Sequence, residues 1–95
     1  MLDKTEFYIN GAWVPSIDGC SFPVFNPATE DAFANITLGG EKDVKAAIAA
    51  AKAAFPAWSQ TSPDDRAAYL QKLLDVYISR NDEMGAMIST EMGAP

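Results

Sequence analysis

The sequence has no histidine and only one cysteine, Cys20, among its 95 residues. A single cysteine excludes an internal disulfide bond, and without histidine a typical zinc site has no imidazole ligand. No apolar run approaches the roughly 20 residues that a membrane-spanning helix needs. The opening residues also lack the basic and then apolar pattern of a secretory signal. We therefore expect a cytoplasmic protein with no membrane partner.

Positive charge is also scarce, with seven Lys and Arg residues against thirteen Asp and Glu residues and a net charge of −6. Nucleic acids and anionic membrane surfaces should be repelled by such a chain. The composition, 48% hydrophobic and 21% charged, is that of an ordinary globular protein. A chain of this length buries only somewhat more than about 60% of its unfolded surface, so we expect marginal stability.

The front half predicts strands between about residues 6 and 38. Asn10-Gly11 lies between two short apolar runs and supplies the positive φ angles of a type I′ turn, which predicts a tight β-hairpin. Residues 21–25 are expected to be extended, and residues 33–37 alternate between apolar and polar side chains as a strand does.

The back half predicts helices over about 41–55 and 62–92. Acidic residues near Glu41 suit the positive end of a helix dipole, and Pro56 is expected to end the first helix after Phe55. Ser62 and Pro63 are typical of an N-cap and a first helical position. Asn81 and its neighbour either start a new helix or face solvent, so the expected architecture is α+β with two or three helices.

The residues alone do not predict an active site. Cys20 is the only nucleophilic thiol, but no histidine exists to accept its proton, so we interpret it as an inert surface thiol. Asp64-Asp65 and Asp82-Glu83 are adjacent pairs whose side chains diverge on a helix, and helix capping and solvation explain both. Gly39-Gly40 lacks the further glycines or lysine of a phosphate-binding loop.

Residues 7–14 read F-Y-I-N-G-A-W-V, residues 22–29 read F-P-V-F-N-P-A-T, and residues 91–95 read E-M-G-A-P. These stretches resemble the amino-terminal region of the NAD(P)-dependent aldehyde dehydrogenase superfamily. Phe7–Val14 is similar to the family's I-N-G-x-W-V hairpin, and Phe22–Thr29 is similar to its F-x-V-x-N-P-A-T element. Asp43–Pro95 resembles the helical region that follows and ends in a variant of E-x-G-K-P, with Ala94 in place of the lysine. Each motif is short, but their order and spacing together are specific.

The resemblance implies that residues 1–95 are the amino-terminal part of a Rossmann-like α/β cofactor-binding domain in a longer enzyme. Such an enzyme uses NAD or NADP to oxidise an aldehyde to a carboxylic acid through a cysteine thiohemiacetal. In the family's order the nucleophile, the general base and the glycine-rich cofactor turn all come later. The resemblance therefore implies no catalytic or cofactor-binding residue in this segment, which should be inactive alone. The full-length enzyme is expected to be a homo-oligomer, either a dimer or a tetramer.

One family site maps onto this segment. The resemblance implies a monovalent cation, Na⁺ or K⁺, bound by the backbone carbonyls of Val24 and Phe25 and by the side chain of Glu91. The alternative is that Glu91 only caps its helix or forms a salt bridge near the helix end.

Two other functions stay open at this point. One is an independent acidic helical module that binds a partner protein through the face that spans Leu70–Ile78. The other is a metal-binding or ligand-binding domain around Glu91. The order of the three motifs favours a segment of an aldehyde dehydrogenase over both.

Overall fold

The computed structural model describes all 95 residues. Five strands occupy the front half: β1 Leu2–Lys4, β2 Glu6–Ile9, β3 Ala12–Pro15, β4 Cys20–Phe25 and β5 Ala32–Leu38. Three helices follow: α1 Glu41–Ser59, α2 Pro63–Ser79 and α3 Asn81–Met92. This arrangement confirms the predicted α+β class with strands before helices.

Strands β2 and β3 form the predicted hairpin. Asn10 and Gly11 have φ angles of 54° and 78°, as a type I′ turn requires. The register pairs Tyr8 directly with Trp13, and their ring centroids lie 5.2 Å apart. Because cross-strand aromatic pairs stabilise two-stranded ribbons, this contact supports the turn that the sequence specifies.

The other three strands form one sheet in the order β1-β5-β4. Strand β4 pairs with β5 in antiparallel register, from Cys20 opposite Leu38 onwards. Strand β1 pairs with β5 in parallel, with Leu2 opposite Ala34. The predicted strand region of about 6–38 was therefore wrong at its start. Since β1 has only three residues and its partner lies far along the chain, local sequence pattern could not show it.

Helix α1 corrects a second prediction, because it runs through Pro56 to Ser59 instead of ending at residue 55. Proline removes one backbone donor but leaves its own carbonyl free to accept. The hydroxyl of Ser59 donates to the carbonyl of Pro56 at 2.8 Å, and the amide of Gln60 donates to the carbonyl of Ala57. These bonds complete the last turn, so the helix ends one turn later than proline alone suggests.

The predicted helical range 62–92 is divided at Arg80, whose φ and ψ of −114° and 14° interrupt the helix. Helix α2 begins as expected, because the amide of Asp65 donates to the hydroxyl of Ser62 at 3.1 Å. Helix α3 ends at Gly93, which adopts the left-handed conformation with φ 74°. The chain therefore has three helices, the larger of the two numbers that the sequence allowed.

Little of the chain is buried: only Ala34 and Asp43 are almost completely shielded from solvent, each with 5% of its surface exposed. The accessible surface is 7568 Å², against about 5,300 Å² expected for a compact monomer of 10.2 kDa. The radius of gyration is 17.0 Å, whereas a compact domain of this length has about 12 Å. The segment is thus an open layer whose apolar faces lie uncovered.

No helix has the length and apolar character needed to cross a bilayer.

Candidate functional site

The most highly organised polar cluster joins the loop after β3 to the start of α1. The carboxylate of Asp43 accepts hydrogen bonds from the hydroxyl of Ser16 at 2.5 Å and from the amide of Ile17 at 2.7 Å. The amide of Gly40 donates to the same carboxylate at 3.1 Å. We call this cluster, together with Asp18, the loop–helix clasp. It fixes the hairpin side of the molecule to the first turn of α1.

The clasp lowers the pKa of Asp43 below its usual range. The largest cause is the hydrogen bond from the amide of Ile17, followed by the bond from the hydroxyl of Ser16. Both bonds stabilise the charged carboxylate, and they outweigh the opposing effect of desolvation. A carboxylate with a lowered pKa and with its oxygens already hydrogen bonded is poorly suited to transfer protons near neutral pH. We therefore assign Asp43 a structural role.

Asp18 supplies the cap that α1 lacks. The residue at the N-cap position is Gly40, which has no side chain with which to bond the free amides of the first turn. The carboxylate of Asp18 instead accepts from the amides of Lys42 at 3.0 Å and Asp43 at 3.3 Å. A Cβ atom on Gly40 would lie 2.4 Å from that carboxylate, so glycine leaves the space that the cap occupies.

The clasp was not predicted, although the sequence contains a signal for it. The acidic residues near Glu41, which include Asp43, were assigned only to the helix dipole. A helix start preceded by two glycines has no capping side chain of its own, so its cap must come from elsewhere in the chain.

The predicted cation-site residues lie at the end of β4 and the end of α3. Val24 pairs with Ala34 and Phe25 pairs with Ala32, so Phe33 is an extra residue that forms a bulge between the two pairs. A bulge disrupts the hydrogen-bond ladder locally. The two residues whose carbonyls were predicted to bind a cation therefore flank an irregular point in the sheet.

The end of α3 lies beside the turn that follows β4. A Cβ atom on Gly93 would be 3.3 Å from the Cγ atom of Pro27, which is two residues after Phe25. Glu91 precedes Gly93 by two residues, so the structure brings the last turn of α3 to the region of the predicted carbonyls. The exposed side chain of Glu91 has no hydrogen bond or ion pair within the chain. The structure thus shows neither a helix cap nor a salt bridge formed by the Glu91 side chain, which were the two forms of the alternative.

The turn between β4 and β5 is held by Asn26. Its side-chain oxygen accepts from the amide of Ala28 at 2.9 Å, and its backbone carbonyl accepts from the amide of Glu30 at 2.7 Å. Glu30 adopts a positive φ of 62°. The N-P-A-T motif is therefore a turn that Asn26 stabilises through its own side chain.

Glu91 is the only carboxylate of the predicted cation site. No group of three or more histidine, cysteine, aspartate or glutamate residues that could hold a metal ion occurs in the chain.

Cys20 is exposed, as expected, and it is the first residue of β4. It pairs with Leu38 across the sheet. With no histidine in the chain, no imidazole base lies beside its thiol.

The helical half forms an open apolar groove of about 370 Å³ between α2 and α3. Its walls include Leu73, Tyr77 and Met87, and an exposed ion pair between Arg80 and Glu83 lies at its edge. This ion pair raises the pKa of Arg80 and lowers the pKa of Glu83, mainly through their hydrogen bond. Exposed pairs of this kind contribute little to stability. The groove contains no convergent set of polar groups that would orient a small substrate.

Residues 13–95 match the model of the aldehyde dehydrogenase family. The chain is 43% identical over 95 residues to 3-succinoylsemialdehyde-pyridine dehydrogenase from a Pseudomonas species, and it covers 20% of that relative.

Two solved structures are similar in fold. Aldehyde dehydrogenase from Bartonella henselae superposes over 100% of this chain and 20% of its own, with a TM-score of 0.98 and 45% identity. A mutant of aldehyde dehydrogenase C from Pseudomonas syringae, solved with NAD⁺ and octanal, superposes over 95% of this chain and 19% of its own. Its TM-score is 0.92 and its identity is 43%. The chain thus spans about a fifth of the length of the proteins that it matches, and it corresponds to their amino-terminal region.

Proposed function

This chain belongs to the aldehyde dehydrogenase family, and on that premise we propose that it serves as scaffold in the NAD(P)-dependent oxidation of an aldehyde to a carboxylic acid. The observation that carries the proposal is that the entire chain superposes on only 20% of a solved aldehyde dehydrogenase chain. The open apolar faces support it, because such faces need a larger body to cover them. The comparisons give no support to an independent interaction module.

In this proposal the segment contributes no catalytic group. Its residues form an outer layer of the cofactor-binding domain, where the loop–helix clasp fixes the hairpin to α1. NAD use is supported by the similar structure that was solved with NAD⁺, and NADP is the alternative cofactor. The substrate is proposed only as an aldehyde, because one similar protein is named for a pyridine semialdehyde and another was solved with octanal.

The test begins with the complete coding sequence that contains this chain. A reading frame that continues to a cysteine nucleophile and a glycine-rich turn is expected. The full-length product should reduce NAD or NADP when an aldehyde is supplied. The 95-residue chain alone should neither reduce the cofactor nor bind NAD. A reading frame without these elements, or aldehyde-dependent turnover by the isolated chain, would refute the proposal.

Cys20 offers a control within the same experiment. Because it lies at the start of β4 and has no imidazole base, Cys20→Ser in the full-length enzyme should leave the turnover number unchanged. Loss of turnover in this variant would show that the thiol takes part in the chemistry.

We further propose a monovalent cation site formed by the carbonyls of Val24 and Phe25 and the side chain of Glu91. It is supported by the bulge between Val24 and Phe25 and by the proximity of Gly93 to Pro27. The unpaired carboxylate of Glu91 is a suitable ligand type, since hard cations prefer oxygen ligands.

The full-length enzyme is also proposed to be a cytoplasmic homo-oligomer, either a dimer or a tetramer. This proposal rests on the family resemblance. Light scattering coupled to size-exclusion chromatography of the full-length protein tests it, and a monomeric mass would contradict it.

A further inference from the structure

We draw no further inference here: the strongest candidate, the apolar groove between α2 and α3 that Leu73, Val76, Tyr77, Met84 and Met87 line, lies on an unpartnered face, and nothing in the structure shows what covers it.

Discussion

The hydroxyl of Ser16 donates a hydrogen bond to the carboxylate of Asp43, 27 residues further along the chain. The bond connects a loop that follows the hairpin to the first turn of α1, with the whole of β4 and β5 between them. Asp43 is one of only two buried residues, so its charge depends on these donors for compensation. The front and back halves of the segment are thus joined by polar contacts where apolar packing is sparse.

Replacement of Asp43 with asparagine should lower the midpoint of thermal unfolding of the full-length enzyme by the same amount at every pH from 5 to 8. The folded state lowers the pKa of Asp43, and the unfolded value is about 3.9, so the group is ionised in both states throughout this range. Its contribution is fully present above the unfolded pKa and is lost as pH falls through the folded pKa. Calorimetry at pH 5, 6, 7 and 8 measures the difference.

Asp64→Asn is the matched control for that experiment. Asp64 also lies in the first turn of a helix, but its side chain accepts no hydrogen bond within the chain. It should change the unfolding midpoint less than Asp43→Asn does. Equal effects of the two substitutions would mean that the clasp adds nothing beyond a helix-dipole interaction. A midpoint difference for Asp43→Asn that varies between pH 5 and 8 would contradict the lowered pKa.

Gly39 and Gly40 precede α1, and their replacement with alanine should change the stability of the protein by different amounts. A Cβ atom on Gly40 would lie 2.4 Å from the Asp18 carboxylate and 2.6 Å from the Asp18 carbonyl oxygen, so the cap must move. Overpacking of this kind costs about 1–3 kcal/mol. A Cβ atom on Gly39 would meet the Phe7 ring at 3.5 Å, an ordinary contact. Urea unfolding of the full-length variants should show a clearly lower free energy of unfolding for Gly40→Ala and little change for Gly39→Ala. A larger loss for Gly39→Ala than for Gly40→Ala would contradict the capping role of Asp18.

Local signals in the sequence predicted the elements whose cause is local. Asn10-Gly11 specified the hairpin through its positive φ angles, and Ser62 specified the start of α2 through its side chain. Pro56 was misinterpreted, because a single proline near the end of a helix removes one donor without preventing another turn.

Elements that depend on distant partners could not be predicted. Strand β1 exists through parallel pairing with β5, and Asp18 acts as a cap only because the fold brings its loop to Gly40. The residues of the candidate cation site came from family resemblance alone. The bulge beside Val24 and the contact of Gly93 with Pro27 are tertiary features that the motifs do not encode locally.

Glu91→Gln should reduce the stabilisation that sodium or potassium gives to the full-length enzyme. The substitution removes the one negative ligand of the proposed site and keeps the size of the side chain, and hard cations bind carboxylates in preference to amides. Melting temperatures in sodium, potassium and a bulky organic cation, at constant ionic strength, measure the effect. Cys20→Ser is the control and should respond to cations as the wild type does. The site is excluded when Glu91→Gln and wild type respond equally.

The apolar faces of the helical half provide the basis for the last prediction. Leu70 and Phe55 are 66% and 65% exposed, although helical spacing places them on apolar stripes. Burial of a Leu or Phe side chain is worth about 1.5–3 kcal/mol, and whole domains are stable by only about 5–15 kcal/mol. When several such side chains stay exposed to water, the burial free energy that is not gained is as large as the stability of an entire domain.

The 95-residue chain expressed alone should accordingly be partly unfolded, aggregated or oligomeric at low micromolar concentration. Its surface exceeds that of a compact monomer by roughly 2,200 Å², and large apolar patches favour self-association. Light scattering gives the mass, and thermal denaturation at several concentrations shows whether the transition is cooperative and depends on association. When the rest of the enzyme is added as a separate polypeptide, the chain should form a complex of defined mass with a sharper thermal unfolding transition. A monodisperse monomer that unfolds cooperatively at a temperature independent of concentration would show that the exposed faces need no cover, and the scaffold proposal would then be wrong.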